Sequence, residues 1–398
     1  MGWAIGAGLC AGLMIATKET AALSFAAALA ALALTNRISR AENSRDDKER
    51  GTERPSREGV PPTVLPDGTT RIGSPSPKYG RGGRGVRAVG TAALVACLFL
   101  SGFGSNWRGP LDYFRAYTPW LKRAGGTEMH RHGAGYYLEI LCWSHTPGHA
   151  IYSEGLIVGL ALTGIAAAFV NRARFSAPSP GLLRFVALYT LFLTLIYSVT
   201  PYKTPWCVLT FLTGLILLAG VGADVLIRIV PGKIAQAAVA LLLLIGAIQL
   251  EGQAKRASFT AYADPDNPYV YAQTVPDVLN LYQRMNDLAE AGPQHNKTVI
   301  QVVVADGYYW PLPWYLRRFD TDSVGYYSTV LPPGPAAPIV IASSEMDEQL
   351  TKRLGENYIM TGYTGLRPGV TYETFVRMDL WAAYLQWKKA RAKPDDEE

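Results

Sequence analysis

Seven apolar runs dominate the first 250 residues of the chain. They lie at about residues 3–17, 21–35, 88–105, 152–170, 183–200, 206–227 and 234–250. A helix needs about 20 apolar residues to cross the hydrocarbon core of a bilayer. The pattern therefore predicts a polytopic α-helical membrane protein with about seven spans. The first two runs are short and are separated only by residues 17–20, so they could instead form one long helix with a charged kink.

Two long connections between these runs differ in composition. Residues 36–87 are rich in Arg, Pro, Gly and Ser, and such a segment cannot bury enough apolar surface to fold, so we expect a disordered loop. Residues 106–150 instead favour the membrane–water interface, with amphipathic helices at 111–124 and 135–142. Their aromatic residues are Trp107, Tyr113, Phe114, Tyr117, Trp120, Tyr136, Tyr137 and Trp143.

The pattern changes after about residue 250. Period-two and apolar runs predict strands at 298–305, 338–342 and 371–378. Helical patterns lie between and around them, at 274–291, 310–319, 345–353 and 379–392. Alternating strands and helices are typical of an α/β domain. We therefore expect a transmembrane domain over 1–250 and a small α/β domain over 251–398.

Basic residues near the span ends predict the orientation, because cytoplasmic loops carry the excess of Lys and Arg. Seventeen of them flank the spans on one side, twelve in loop 36–87 alone, against seven on the other side. This predicts a plasma-membrane protein with loop 36–87 in the cytoplasm and both 106–150 and the α/β domain outside. The net charge of +6 belongs to this topology, so we predict a lipid bilayer and no nucleic acid as partner.

A lysine between two prolines is the first candidate for function. Residues 200–206 read Thr-Pro-Tyr-Lys-Thr-Pro-Trp between two strong spans. The prolines break the helices, and the freed backbone groups must be satisfied in a cavity. A cation there is expensive unless it meets an anion, so Lys203, flanked by Tyr202 and Trp206, could bind a lipid phosphate. The alternative is a tight turn with a snorkelling lysine.

Lys18 and Glu19 interrupt apolar sequence on the same predicted side. One interpretation is an ion pair that caps two short helices. The other is that Lys18 is a second lysine facing an anion in the same cavity.

Four of the five histidines lie close together, with Arg131 among them. With Glu128, Glu139 and Glu154 nearby, they could hold a divalent metal, although no known ligand spacing fits. They could also contact substrate or phosphate, or be solvated interface residues, so we assign no metal or cofactor. The four are His130, His132, His145 and His149.

Asp306 and Trp310 mark a third candidate, where the predicted strand 298–305 gives way to an aromatic cluster. Ligands commonly bind at the carboxyl ends of strands in α/β sheets, and aromatic faces suit sugar rings. The alternative is that these aromatic residues dock the domain onto the membrane helices.

Three segments of the chain resemble one membrane family. They are residues 6–20, residues 198–206 with Lys-Thr-Pro-Trp, and residues 309–317 with Trp-Pro-Leu-Pro-Trp-Tyr. The family is the bacterial and archaeal one labelled flippase-activity-associated, which is similar to the GT-C glycosyltransferases, including protein O-mannosyltransferases and aminoarabinose transferases. The resemblance covers nearly the whole chain apart from loop 36–87. It implies a GT-C-like fold and sugar transfer from a polyprenyl-phosphate carrier to a glycan or protein acceptor outside the cytoplasm.

The resemblance also implies roles for individual residues. Lys203 would match the lysine that meets the carrier phosphate, and Lys18 would lie near the same cavity. GT-C enzymes keep their catalytic carboxylate in an outer loop ahead of the region that matches residues 3–20, so this chain resembles the second half of a longer protein. Transfer needs a general base, for which Glu19 is a weak substitute.

Two other functions remain open at this point. One is a non-catalytic accessory protein for flipping or assembly of lipid-linked oligosaccharides, which the missing acidic loop favours. The other is a transporter, which is disfavoured because several spans carry essentially no charge beyond their ends.

Overall fold

The computed structural model describes residues 2–18, 20–53, 81–124, 130–170, 179–305, 308–328 and 330–391. These residues form two compact units, Met1–Gly252 and Gln253–Glu398. We call them the membrane unit and the C-terminal unit. The division falls where the sequence pattern changes character.

Helices account for the membrane unit. Four are long and apolar enough to cross a membrane, over Ala21–Glu42, Pro180–Val199, Pro205–Ile229 and Lys233–Thr260. The other three predicted spans correspond to shorter apolar helices, at Gly2–Thr17, Gly85–Leu100 and Gly155–Phe169. The helices are α1 Gly2–Thr17, α2 Ala21–Glu53, α3 Arg81–Leu100, α4 Gly109–Arg115, α5 Tyr117–Ala124, α6 Tyr136–Cys142, α7 Gly155–Phe169, α8 Pro180–Val199, α9 Leu209–Ile229 and α10 Lys233–Lys255.

The outer faces of these helices are apolar. Leu241, Leu242, Leu244 and Ile245 of α10 are each more than half exposed. Exposed apolar surface of this extent is typical of a helix that faces lipid. The structure is therefore consistent with the predicted mostly helical membrane protein. The count of seven spans stays a prediction.

The structure differs from the expectation for loop 36–87. Helix α2 continues to Glu53, and α3 already begins at Arg81. Residues 37–53 contain several Arg, Glu and Lys residues, which are good helix formers, so a helix that starts in the apolar run can continue through them. Residues 54–80 lie outside the described residues.

Small residues let the helices of the membrane unit approach closely. A Cβ atom at Gly8 would lie 2.4 Å from the Ala88 carbonyl oxygen of α3. At Gly222 of α9 it would lie 1.9 Å from the Leu160 carbonyl oxygen of α7. Backbone contact at small residues is a common way for membrane helices to associate, because lipid supplies no hydrophobic driving force between them.

The C-terminal unit is a mixed sheet with helices on both faces. The strands β1 Ile300–Val303, β2 Val324–Tyr327, β3 Ile339–Ser343, β4 Tyr358–Arg367 and β5 Val370–Arg377 stand in the order β2-β1-β3-β5-β4. The pairs of β1 with β2 and β3 are parallel, and those of β5 with β3 and β4 are antiparallel. The helices are α11 Asp277–Ala291, α12 Leu312–Tyr315, α13 Asp347–Leu354 and α14 Met378–Arg391.

Two hydrophobic cores hold this unit together. Alternate residues of the strands point to opposite faces. Val302 and Ile341 therefore pack with residues of α11 and α14 on one face. Val340 and Phe375 pack with Leu350 of α13 on the other face.

The strands predicted at 298–305, 338–342 and 371–378 correspond to β1, β3 and β5. Strands β2 and β4 were not predicted. All four residues of β2 are only half-buried, and β4 contains Gly362 and Gly365 with a break in its register, so neither shows a strong apolar alternation.

Candidate functional site

The chain changes direction between α8 and α9. Helix α8 ends at Val199, residues 200–204 are not helical, and Pro205–Val208 forms a short 3-10 helix that leads into α9. Proline has no backbone N–H and cannot continue a helix. The break at Pro201 therefore follows directly from the local sequence.

Backbone hydrogen bonds tie this break to the segment before α6. The N–H of Lys203 donates to the carbonyl of His130 at 3.0 Å, and the N–H of His132 donates to the carbonyl of Pro201 at 3.2 Å. The two connections thus form one small antiparallel ladder. We call residues 130–132 and 200–203 the basic ladder.

The Lys203 side chain lies inside the basic ladder. Only 1% of the residue is exposed. Its Nζ donates to the carbonyl oxygen of Thr200 at 2.5 Å and to that of His132 at 3.2 Å. Carbonyl groups at the end of a helix lack intrahelical partners and favour a nearby cation. The ammonium group therefore closes the end of α8 and clamps the two halves of the ladder together.

Burial also changes the acidity of this lysine. Loss of water lowers the pKa of the Lys203 ammonium group, because a low dielectric disfavours the charged form. Hydrogen bonds from a charged group contribute about 1.5–3 kcal/mol each, which offsets part of that cost. The ammonium group therefore meets the carbonyl dipoles of Thr200 and His132.

Four other side chains of the basic ladder are aromatic or basic and are more accessible than Lys203. Arg131 is exposed and stands opposite Tyr202 in the ladder. The Tyr202 ring meets the edge of the His130 ring at 5.2 Å between centroids. The exposed His132 stacks on Tyr136 at 4.2 Å. The pairing therefore brings one guanidinium and two imidazole groups into the same small ladder as the buried lysine.

Tyr137 of α6 contacts the break between α8 and α9. Its residue is 1% exposed, and its hydroxyl donates to the carbonyl of Thr204 at 3.3 Å. Burial raises the pKa of Tyr137, so the phenol stays protonated and remains a donor. The ring packs edge-on against Phe211 of α9 at 5.5 Å. These two contacts join α6 to α9 next to the ladder.

The turn between α1 and α2 also approaches this end of α8. Tyr197 of α8 lies close enough to the side chains of Thr20 and Thr210 to interact with both. Lys18, two residues before Thr20, is exposed, and Glu19 lies outside the described residues. The expectation that Lys18 lies near Lys203 stays a prediction.

The structure brings five of the predicted site residues together and leaves others elsewhere. His130, Arg131, His132, Tyr202 and Lys203 form the ladder, and Trp206 follows it in the 3-10 helix, 51% exposed. Trp310 belongs to the C-terminal unit, and Asp306 lies outside the described residues. Within the described part of the membrane unit, the histidines and carboxylates do not converge on one ion.

The sequence did not predict which residues contact the break at residues 200–204. It placed Tyr136 and Tyr137 among interfacial aromatic residues and did not connect them to residues 200–204. The Tyr137 bond to Thr204 crosses 67 residues, and a contact at that separation leaves no local pattern.

Comparison of the chain with family models, with curated proteins and with solved structures returned no match. The family resemblance noted from the sequence therefore remains a hypothesis.

Proposed function

We propose that the chain is a membrane glycosyltransferase-like protein whose basic ladder binds the phosphate of a polyprenyl-phosphate-linked sugar. The observation that supports the proposal is the meeting of Arg131, His130 and His132 with Lys203 at the end of a candidate span. Phosphate oxygens are strong acceptors, and a guanidinium group can meet two of them at once. The polyprenyl chain would lie in the bilayer beside the apolar helices.

In this proposal three of the basic residues have distinct roles. Arg131 is exposed and contacts the phosphate, together with His132. Lys203 is a positioning residue, because its ammonium group already donates to the carbonyls of Thr200 and His132. It holds the ladder closed and adds positive potential without touching the ligand. This assignment differs from the direct phosphate contact that the resemblance implies.

Orientation and location form part of the same proposal. The charge bias of the loops supports a plasma-membrane protein with the basic ladder and the C-terminal unit on the extracytoplasmic side. A cysteine introduced at position 131 should then react with an impermeant maleimide added to intact cells, in a background with the four native cysteines replaced. Labelling only after the membrane is opened would contradict the orientation.

Binding can be tested on the purified full-length protein. The probe is a polyprenyl-phosphate-linked hexose, compared with the same polyprenol without phosphate. Loss of charged hydrogen bonds in Arg131→Ala should weaken binding about ten-fold or more, and Arg131→Lys should recover part of it. The exposed Lys122 of α5 provides a matched control, and Lys122→Ala should bind as tightly as the parent.

The two roles predict a difference between variants. Lys203→Met should weaken binding together with thermal stability, whereas Arg131→Ala should weaken binding alone. Equal binding by the parent and Arg131→Ala would overturn the proposal. Mass spectrometry of co-purifying lipids offers a second test, in which recovery of bulk phospholipid alone would count against it.

A transfer assay separates the catalytic form of the proposal from the non-catalytic alternative. Release of polyprenyl phosphate in the presence of a peptide or glycan acceptor supports a transferase. Tight binding without release supports an accessory protein in the handling of lipid-linked sugars.

A further inference from the structure

Five side chains of the C-terminal unit form a surface of exposed rings and guanidinium groups. Trp310 and Trp314 are 61% and 63% exposed. The Arg317 guanidinium lies 4.2 Å from the centre of the Trp314 ring, and that of Arg367 lies 5.6 Å from the centre of the Tyr308 ring. We call Tyr308, Trp310, Trp314, Arg317 and Arg367 the aromatic–arginine patch.

Backbone contacts hold this patch in place. Arg317 donates to the carbonyl of Trp314 at 2.5 Å, and Arg367 donates to that of Trp310 at 3.1 Å. The Tyr372 hydroxyl donates to the carbonyl of Tyr308 at 2.5 Å. A guanidinium group has five N–H donors, and these backbone bonds orient both arginines beside the rings.

One segment of the C-terminal unit leads from a candidate membrane helix to the patch. Residues 253–260, the last turns of the candidate span Lys233–Thr260, belong to this unit. The Asn267 side chain donates to the carbonyls of Ala257 and Ala261 at 3.1 and 2.9 Å. The segment that starts there is thus fastened to the end of the span.

The same segment is fastened at its other end beside the patch. The hydroxyls of Thr274 and Tyr315 are 3.1 Å apart, and the N–H of Val275 donates to the carbonyl of Leu366 at 3.0 Å. Tyr315 directly follows Trp314, and Leu366 directly precedes Arg367. The patch therefore lies beside the far end of a segment that begins at a candidate membrane helix.

We propose that the aromatic–arginine patch rests on the lipid–water interface and binds anionic lipid headgroups. Tryptophan and tyrosine favour the headgroup layer, and arginine is suited to lipid phosphate by its planar fork of donors. Each arginine near an anionic membrane surface strengthens attachment about five-fold. A sugar platform would need open ring faces, whereas Arg317 and Arg367 already cover faces of Trp314 and Tyr308.

Hydrogen exchange of the full-length protein in nanodiscs tests this proposal. One preparation contains phosphatidylcholine alone, and the other contains equal parts of phosphatidylcholine and phosphatidylglycerol. Peptides covering 308–318 should exchange more slowly in the anionic discs. Arg317→Glu should reverse that protection, with a loss of at least about five-fold in the bound population.

The chain offers a matched control for this variant. Arg391 lies 4.3 Å from the Trp387 ring centre, in the same kind of stacked pair. Arg391→Glu makes the same charge change and should leave exchange of 308–318 unchanged. Exchange in β1 and β3 reports whether each variant is still folded.

Two results would overturn the proposal. One is equal exchange of 308–318 in both kinds of disc, with Arg317→Glu matching the parent. The other is protection that depends on an added soluble oligosaccharide and not on phosphatidylglycerol, which would make the patch a sugar platform. Neither result bears on the basic ladder, which belongs to the membrane unit.

Discussion

The close contact between α7 and α9 predicts that a larger residue at Gly222 destabilises the protein. Gly222 of α9 faces the carbonyl group of Leu160, and Gly164 of α7 faces that of Leu218. A Cβ atom at Gly222 would lie 1.9 Å from the Leu160 oxygen and 2.8 Å from its carbon. Gly222→Ala must therefore push the two backbones apart by about an ångström or more, because these atoms repel strongly at such distances.

The expected cost follows from what is displaced. The obstacle is helical backbone, which cannot rotate away as a flexible side chain could. Overpacking of a close contact typically costs about 1–3 kcal/mol. Alanine would otherwise favour the helix by up to about 1 kcal/mol over glycine. Because the contact with rigid backbone is so close, the upper end of the overpacking cost applies, and the net destabilisation by Gly222→Ala should be about 2 kcal/mol.

The same helix contains its own control. A Cβ atom at Gly220 would meet nothing within 4 Å, so Gly220→Ala should keep or slightly raise stability. The assay heats detergent-solubilised full-length protein and measures the remaining monodisperse fraction by size-exclusion chromatography. If Gly222→Ala and Gly220→Ala lose that fraction at the same temperature, the close α7–α9 contact is refuted.

Three further predictions concern charged groups. Arg184 donates two hydrogen bonds to Glu42, with side chains 8% and 51% exposed. Glu42→Gln leaves the buried guanidinium without a carboxylate partner, so it should destabilise the protein more than Arg184→Met. Because Glu42 is half exposed, the loss should be about 1–3 kcal/mol, between the values for exposed and buried pairs. An equal or reversed order of melting temperatures would refute this. Because burial lowers the pKa of Lys203 below its ordinary value of 10.5, the unfolded chain binds more protons between the lowered and the ordinary pKa, so stability should rise with pH across that window. Lys203→Met should flatten this rise in a melting series, and identical slopes would contradict it. The hydrogen bond from Arg377 holds the pKa of Asp379 below its ordinary value of 3.8. The stability that the ionised Asp379 contributes is therefore present above pH 3.8 and is lost as the pH falls through the lowered pKa. Because the pair is exposed, Asp379→Asn should remove about 1 kcal/mol or less of acid-sensitive stability. Hydrogen exchange in α14 between about pH 5 and 2 measures this loss. An unchanged pH dependence would count against the prediction.

Local sequence predicted most of the helices and three of the five strands, because their apolar residues recur at the period of the element they form. The helices α7 to α10 and the strands β1, β3 and β5 all lie where such runs are strong. Where the pattern was weak the prediction failed, as at β2 and β4. Residues 36–53 show the opposite error, since a polar composition there hid a continuous helix.

The candidate site depends on local sequence and on tertiary contacts. The break at 200–206 was predictable, because two prolines interrupt two apolar runs and leave a lysine between them. Its partner was not, because Lys203 Nζ reaches the His132 carbonyl across 71 residues, and no local pattern encodes a pairing at that distance. The burial of that ammonium group, which changes its proposed role from contact to positioning, was equally invisible.

The sequence by itself determined that long apolar helices precede an α/β unit, and where basic and proline-broken segments interrupt them. Side-chain chemistry and backbone restriction act over a few residues, so these features are written locally. Only the tertiary structure decided that residues 130–132 pair with 200–203, that glycines of α7 and α9 meet backbone to backbone, and that Arg317 covers the ring of Trp314. Those outcomes depend on which surfaces bury each other, and that is settled by packing of the whole unit.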